Sequence, residues 1–454
     1  MTQTKRLNDS AAARWLALII VSFTMMCGYF ITDVMAPLED LLTKTPAEGG
    51  LGWTSDDYGF FSGAYGYINV FLLMLFFGGI ILDKCGVRFT GVMSCGLMLA
   101  GTLIKWYALD ADFGTAQFFG YPVQVIIAAL GFAIFGMGAE ITGITVTKVI
   151  AKWFTGYELA FAMGLQVAMA RIGTAAALAC SLPFANAMGD VAAPVLLGAA
   201  LLCIGFVAYL VYGVMDKKLD ASVAATEQVS DEEGFRFSDL KVIFTNAGFW
   251  LIAILCVLFY SGVFPFLKFA TKLMIYKYDV EPELAGLIPA MLPFGTILLT
   301  PLFGSIYDRM GKGATLMIIG SAMLTLVHVL FALPILNVWW FAILVMVVLG
   351  VAFSLVPSAM WPSVPKIIPM KQLGSAYAII FYIQNIGLSM VPVMIGKVIQ
   401  NYATIETAEE VKYDYTIPMS IFAAFGVISI IISFILKRVD AKKGYGLEQP
   451  NIKK

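Results

Sequence analysis

The chain has 454 residues, 60% of them hydrophobic and only 13% charged, with a mean hydropathy of +0.86. Soluble domains are about half apolar and about a quarter charged, so the composition excludes an ordinary soluble domain and assigns the chain to a bilayer. A formal net charge of −1 excludes a nucleic-acid binder, which needs basic stripes.

A helix needs about 20 mostly apolar residues to cross roughly 30 Å of hydrocarbon. Twelve runs meet this length: near 15 to 38, 58 to 81, 90 to 109, 122 to 149, 159 to 184, 191 to 214, 247 to 271, 282 to 303, 314 to 336, 338 to 364, 374 to 396 and 415 to 436. Lipid offers backbone groups no partner, and the runs are too long and too uniformly apolar for barrel strands, so all are predicted to be helices. The polar start, Met1 to Asp9, leads into a run too long for a signal peptide. Twenty of the 29 Lys and Arg residues fall on the side that holds both termini and five on the other, where Glu48, Asp56, Asp57, Asp110 and Glu409 also lie. Positive charge marks the cytoplasmic side, which makes both termini cytoplasmic.

The longest polar stretch, about Asp216 to Asn246, separates six spans from six. It divides the chain into a first six-helix bundle (1–214), a linker (215–246) with a short surface helix around Phe235 to Phe244, a second bundle (247–440) and a tail (441–454). The fold class expected is thus all-α, twelve transmembrane helices in two pseudo-symmetric bundles.

The loop after the second span contains Gly79, Asp83, Lys84, Gly86 and Arg88; the loop after the eighth contains Gly304, Asp308, Arg309, Gly311 and Lys312. Both fit G-x-x-x-D-[KR]-x-G, and the same pattern in the same short loop of each half points to a duplication. The glycines permit a tight turn, the aspartate can face a helix N-terminus, and the bases suit the cytoplasmic side. Gly79, Asp83, Lys84, Gly86, Arg88, Asp308 and Arg309 are accordingly candidate gating residues, a charged latch made in one conformation and broken in another; a plain turn with topogenic charge is the alternative. The chain here resembles the major facilitator superfamily, whose loop signature this is. The resemblance implies two six-helix halves that rock around a central site.

Ionisable residues inside spans are costly and mark function by default. Glu140 and Arg171 stand in consecutive spans, equally far from the short loop between them, about 13 residues or roughly 20 Å of helix, which sets both near the midplane. They are either a structural salt bridge or a divided site in which Glu140 takes an ammonium and Arg171 a carboxylate, the guanidinium fork suiting the latter. A divided site fits a zwitterion. Asp33 lies toward the outer end of the first span, at the cavity mouth or on its rim. Lys268 follows Pro265 in a span expected to bend or break; a second bend is expected around Pro357, Pro362 and Pro365. Lys105 and Lys148 are expected to snorkel. Tyr29, Phe30, Tyr65, Tyr260 and Trp361 are aromatic candidates for the lining. His328, in an apolar run, reads as packed core before proton relay. The six cysteines, without a C-x-x-C pair, read as packing residues. No nucleophile–base set, metal cluster or phosphate-binding loop is present, so neither an enzyme nor a cofactor is expected.

Six ordered segments narrow the resemblance: Glu140 after Gly138, Trp153-Phe154, Gly164 to Gly173, Val263 to Phe266, Leu355 to Pro362, and Leu373 to Tyr377 with Gln384 to Leu388. They look like the branch typified by major facilitator superfamily domain-containing protein 1, whose animal members are lysosomal dipeptide transporters. The resemblance implies a dipeptide uniporter with Glu140 and Arg171 as substrate-binding charges, and Tyr29, Asp33, Tyr260, Phe264, Lys268, Trp361 and Gln384 as further site candidates. Lys148 and Lys268 depart from the branch pattern, and either one, if it reaches the cavity, would shift the preference toward more acidic solutes. The closest rival reading is a proton-coupled or exchange carrier of organic or amino-acid anions held by Arg171 and Lys268, with Glu140 only a counter-ion. Compact loops and a short N-terminal tail without a dileucine signal suggest a prokaryotic plasma-membrane protein; a small solute and the lipid bilayer are the expected partners, and a monomer the expected state.

Overall fold

The computed structural model describes residues 7–154, 157–224, 237–369, 372–406 and 411–450. Among the described residues eleven helices are long and apolar enough to span a membrane, and a bent pair, counted as one span, makes a twelfth. In the first half these are α1 (Ala11–Asp33), the pair α3 (Ser55–Phe71) and α4 (Phe76–Leu82), α5 (Lys84–Asp110), α6 (Val123–Phe154), α7 (Leu159–Met188) and α8 (Ala193–Ala224). A short helix α2 (Glu39–Thr43) follows α1 on the side remote from the termini, here the far side. After α9 (Phe237–Phe244) the second half comprises α10 (Ala247–Tyr278), α11 (Pro282–Met310), α12 (Gly313–Ala332), α13 (Trp339–Met360), α14 (Leu373–Val398) and α15 (Thr416–Lys443).

The halves are built alike. In each, the first span packs on the fifth and sixth, α1 on α7 and α8, α10 on α14 and α15, while the third packs on the fourth, α5 on α6 and α12 on α13. The second span of each half meets the fifth of the other: α3 lies on α14, and α11 on α7. Small residues permit that approach, as membrane helices without a hydrophobic drive to associate require. A methyl group on Gly59 would fall 2.6 Å from the Pro392 carbonyl oxygen.

Several expected boundaries shift. The first span ends at Asp33, not 38, because Pro37 follows and the chain turns before α2. The second span breaks near Leu73, which has a φ of 52°, and its two pieces bend by 62°. α8 continues through charged residues to Ala224, ten beyond the expected end of its bundle. Residues 225–236 of the linker lie outside the described residues. Helix α10 runs unbroken across Pro265; α13 gives way at Trp361 to a tight turn, Trp361–Ser363, and a short helix, Val364–Ile367.

The repeated loop resolves into one glycine each. Gly86 has a φ of 75° and Gly311 a φ of 70°, a region in which a side chain collides with the backbone. The two turns differ in their cover. Residues 444–450 fold back over the second: the Lys312 and Gly313 amides donate to the Glu448 and Leu447 carbonyls at 3.0 and 2.8 Å, and the Glu448 carboxylate accepts from the Thr315 amide and hydroxyl at 2.9 and 2.8 Å. Leu447 is fully buried, and the Tyr445 hydroxyl reaches Asn246 Oδ1, the cap of α10, at 3.0 Å.

Candidate substrate cavity

Between the halves lies a cavity of about 510 Å³, a size suited to a small ligand. Its far-side end is sealed by polar contacts across the halves. Lys268 Nζ donates to Asp33 Oδ1 and the Thr32 carbonyl, both at 2.7 Å, and the Tyr58 hydroxyl donates to the Lys268 carbonyl at 2.9 Å. Farther out, the Tyr276 hydroxyl donates to Asp40 Oδ1 at 2.7 Å and the Ser55 amide to Gln400 Oε1 at 3.0 Å.

All nine residues singled out for binding, Tyr29, Asp33, Glu140, Arg171, Tyr260, Phe264, Lys268, Trp361 and Gln384, line this cavity. Helices α1, α6 and α7 of the first half bring the acidic and guanidinium groups; α10, the α13 turn and α14 of the second half bring mainly rings. Glu140 and Arg171 do not pair. Glu140 Oε1 accepts a hydrogen bond from the Tyr65 hydroxyl at 2.9 Å. The Arg171 guanidinium stands 6.0, 5.7 and 5.4 Å from the ring centroids of Tyr29, Phe264 and Phe353. Among the described residues neither has an ion-pair partner. Two side chains of opposite formal charge, each near the middle of its helix, thus face one space without pairing, an arrangement that is costly in apolar surroundings.

On the second half, Trp361 Nε1 donates to the Tyr260 hydroxyl at 2.9 Å, and its ring stacks on Phe381 with centroids 5.0 Å apart. Phe264 packs edge-on against Phe353 at 5.2 Å. The result is an aromatic wall opposite the charges. Gln384 Oε1 lies 3.4 Å from Cys256 Sγ, beside that wall.

Other sequence candidates fall elsewhere. Phe30 is buried in the core, not in the lining. Lys148 is half-buried and outside the lining. Lys105 does not snorkel: it is fully buried, donates to the Ile31 carbonyl at 3.2 Å and sits 4.7 Å over the Phe132 ring. Helix α1 offers its ammonium a carbonyl and α6 two aromatic faces. His328 is packed core, Nε2 at 2.7 Å from the Gly262 carbonyl and the ring stacked on Phe422. Sequence reading missed the Tyr65 contact to Glu140, and also Phe353 and Phe381; a tyrosine in an aromatic-rich span carries no mark of its partner.

Of the gating candidates, Arg88 bonds within its own half, to Asp216 at 3.8 Å and Asp220 at 3.3 Å. Lys152 joins the same carboxylates at 2.9 and 2.6 Å, and Trp153 Nε1 and the Tyr212 hydroxyl also donate to Asp216, at 3.2 and 3.0 Å. Gly79 is half-buried, Lys84 and Arg309 are exposed, and Asp308 is half-buried; the Asp83 side chain lies outside the described ones.

A profile of the Major Facilitator Superfamily matches residues 12–392. The chain is 28% identical to the lysosomal dipeptide transporter MFSD1 of Danio rerio over 403 residues, 85% of this chain and 80% of the relative. It is 26% identical to the lysosomal dipeptide transporter MFSD1 of Homo sapiens over 408 residues, 86% and 81% of the two. Among solved structures, a bacterial homologue of the human lysosomal transporter Spinster, inward-facing and unoccupied, superposes with a TM-score of 0.69 at 13% identity over 95% of this chain and 98% of that one. The nucleoside transporter NupG gives 0.67 at 16% identity over 94% and 99%. At such identities these two speak for the fold alone.

Proposed function

Because the chain belongs to the major facilitator superfamily of multi-pass membrane transporters, we propose that it moves small zwitterions, dipeptides foremost, by alternating access, as a uniporter. The observation that carries this reading is that Glu140 and Arg171 face one cavity and neither consumes the other's charge. An ammonium fits the carboxylate that Tyr65 steadies, and a carboxylate fits the guanidinium fork. The aromatic wall then receives side chains without demanding one kind. Similarity to lysosomal dipeptide transporters supports the same substrate class.

In this reading the termini are cytoplasmic, the membrane is a prokaryotic plasma membrane, and the sealed far side makes the present arrangement an inward-facing one. The repeated loops, Asp83 to Arg88 and Asp308 to Arg309, close the other face in the opposite state. Lys268 in the lining favours a second reading, a carrier of organic anions. Against it, Asp33 already holds that ammonium at 2.7 Å.

Uptake by proteoliposomes decides between them. A dipeptide should enter, while N-acetylation or C-amidation should each cut uptake at least tenfold. Equal uptake of the N-acetylated compound sinks the zwitterion reading. A trapped pH dye should stay silent during dipeptide entry; acidification in step with uptake would replace uniport by proton coupling.

A further inference from the structure

The far-side seal contains a carboxylate that the transport reading does not use. Glu39, on α2 of the first half, is 1% exposed, and neither of its carboxylate oxygens accepts a hydrogen bond. The Lys272 ammonium on α10 of the second half, fully buried, makes a long ion pair with Oε1 at 3.7 Å, while it donates to the Thr43 hydroxyl at 2.9 Å and sits 4.2 Å over the Tyr413 ring. Asp40, the next residue, is by contrast fully engaged, with Lys44 at 2.7 Å and the Tyr276 hydroxyl at 2.7 Å. From α3 and the start of α15, Tyr58 and Tyr415 lie close enough to feel the charge of Glu39. Among the described residues, Glu39 is thus surrounded by phenols, a second carboxylate and one ammonium that meets it only as a long ion pair of 3.7 Å.

A carboxyl buried without an accepted hydrogen bond, beside a second carboxylate and with its one cation 3.7 Å away, is cheaper neutral than charged. Helix α10 of the other half supplies part of this burial, so parting of the halves on the far side would uncover the carboxyl. We infer that Glu39 is a proton-binding site belonging to the far-side-closed state, so that acid on the far side holds the transporter shut there. When the halves part, the carboxyl meets water and releases the proton to the side it came from. The proton is thus a regulatory ligand, not cargo.

Burial pushes the Glu39 carboxyl up to about 7 from its ordinary 4.5, with Lys272 pulling the other way and Asp40 adding to the rise. The group is raised in the closed state, so the proton's contribution to closure is complete below the ordinary value and is lost as pH rises through about 7. Between pH 8 and pH 5 the ratio of closed to open should grow roughly seventy-fold.

The test needs no substrate, so it stands apart from the zwitterion reading. Spin labels on Ala47 and Glu283, both exposed and one on each half, in a chain freed of native cysteines and reconstituted in nanodiscs, report the far-side gap. In the otherwise unmodified chain the short-distance population should rise as pH falls from 8 to 5. Glu39→Gln should show the short distance throughout that range. Lys272→Met, which removes the opposing cation, should move the midpoint up by a unit or more, and it keeps the question open to decision if Glu39→Gln does not fold. A distance distribution independent of pH, a pH response intact in Glu39→Gln, or an unmoved midpoint in Lys272→Met each overturns the inference.

Discussion

Lys268 Nζ and Asp33 Oδ1 meet at 2.7 Å across the boundary between the two halves, with the second Asp33 oxygen accepting from the Thr174 hydroxyl at 2.9 Å. This ion pair forms the ceiling of the cavity and joins α1 to α10. Both side chains are largely buried, so losing one partner strands the other in a poorly solvated place. Lys268→Met and Asp33→Asn should each lower the thermal midpoint of the purified protein by several degrees. The double variant should recover part of the loss. A double-mutant cycle on thermal unfolding should give a coupling of roughly 1–3 kcal/mol; additive losses would mean that the contact does not seal the halves.

Arg171→Lys tests the fork. The variant keeps the positive charge and loses the planar, bidentate geometry that suits a carboxylate and that lies among three rings. KM for dipeptide uptake should rise about tenfold with the thermal midpoint little changed. Unaltered uptake would return Arg171 to a packing role.

Glu140→Gln should remove the preference for a free amino group, leaving N-acetylated and free dipeptides within a factor of about three of each other. Tyr65→Phe deletes only the hydrogen bond at 2.9 Å, a charged one of about 1.5–3 kcal/mol. It should weaken that preference without abolishing it. Competition uptake with paired compounds measures both.

Asp216 is a structural hub. It is fully buried and accepts from Lys152, Trp153 and Tyr212. Asp216→Ala orphans the Trp153 and Tyr212 donors and one end of two partly exposed cations, an expected loss of about 2–4 kcal/mol. A fall in thermal midpoint with unchanged selectivity among dipeptides is the anticipated pattern; altered selectivity would mean the hub reaches the cavity.

The two repeated glycines should respond unequally. Gly86→Ala meets backbone strain of about 1–3 kcal/mol with nothing in the way. Gly311→Ala meets the same strain, and its methyl would lie 2.5 Å from the Gln449 carbonyl carbon, so it should also release residues 444–450. Limited proteolysis of the tail should therefore accelerate in Gly311→Ala alone.

Much of this was written in the chain. Apolar runs of membrane length announce spans whatever they pack against, and the equal distance of Glu140 and Arg171 from one loop is arithmetic on a regular helix. Where a side chain spends its hydrogen bonds is another matter. Lys105 and Lys148 look alike in sequence as cations near span ends, yet Lys105 turned inward to a carbonyl on a helix about 70 residues earlier in sequence. That Arg171 would stay unpaired, or that Lys268 would find Asp33, depends on the register of two halves against each other, which no local pattern encodes. The break near Leu73 likewise shows no proline or glycine at the bend itself.

The fold-back of residues 444–450 has a consequence for the order of the polypeptide. Tyr445 and Asn246 touch although 199 residues separate them, so the second bundle begins and ends at one spot. A bundle whose ends meet can be rejoined there and opened at another loop without stretching the backbone. The second half is therefore the natural place to attempt a circular permutation, or to supply one half of the transporter as a separate chain.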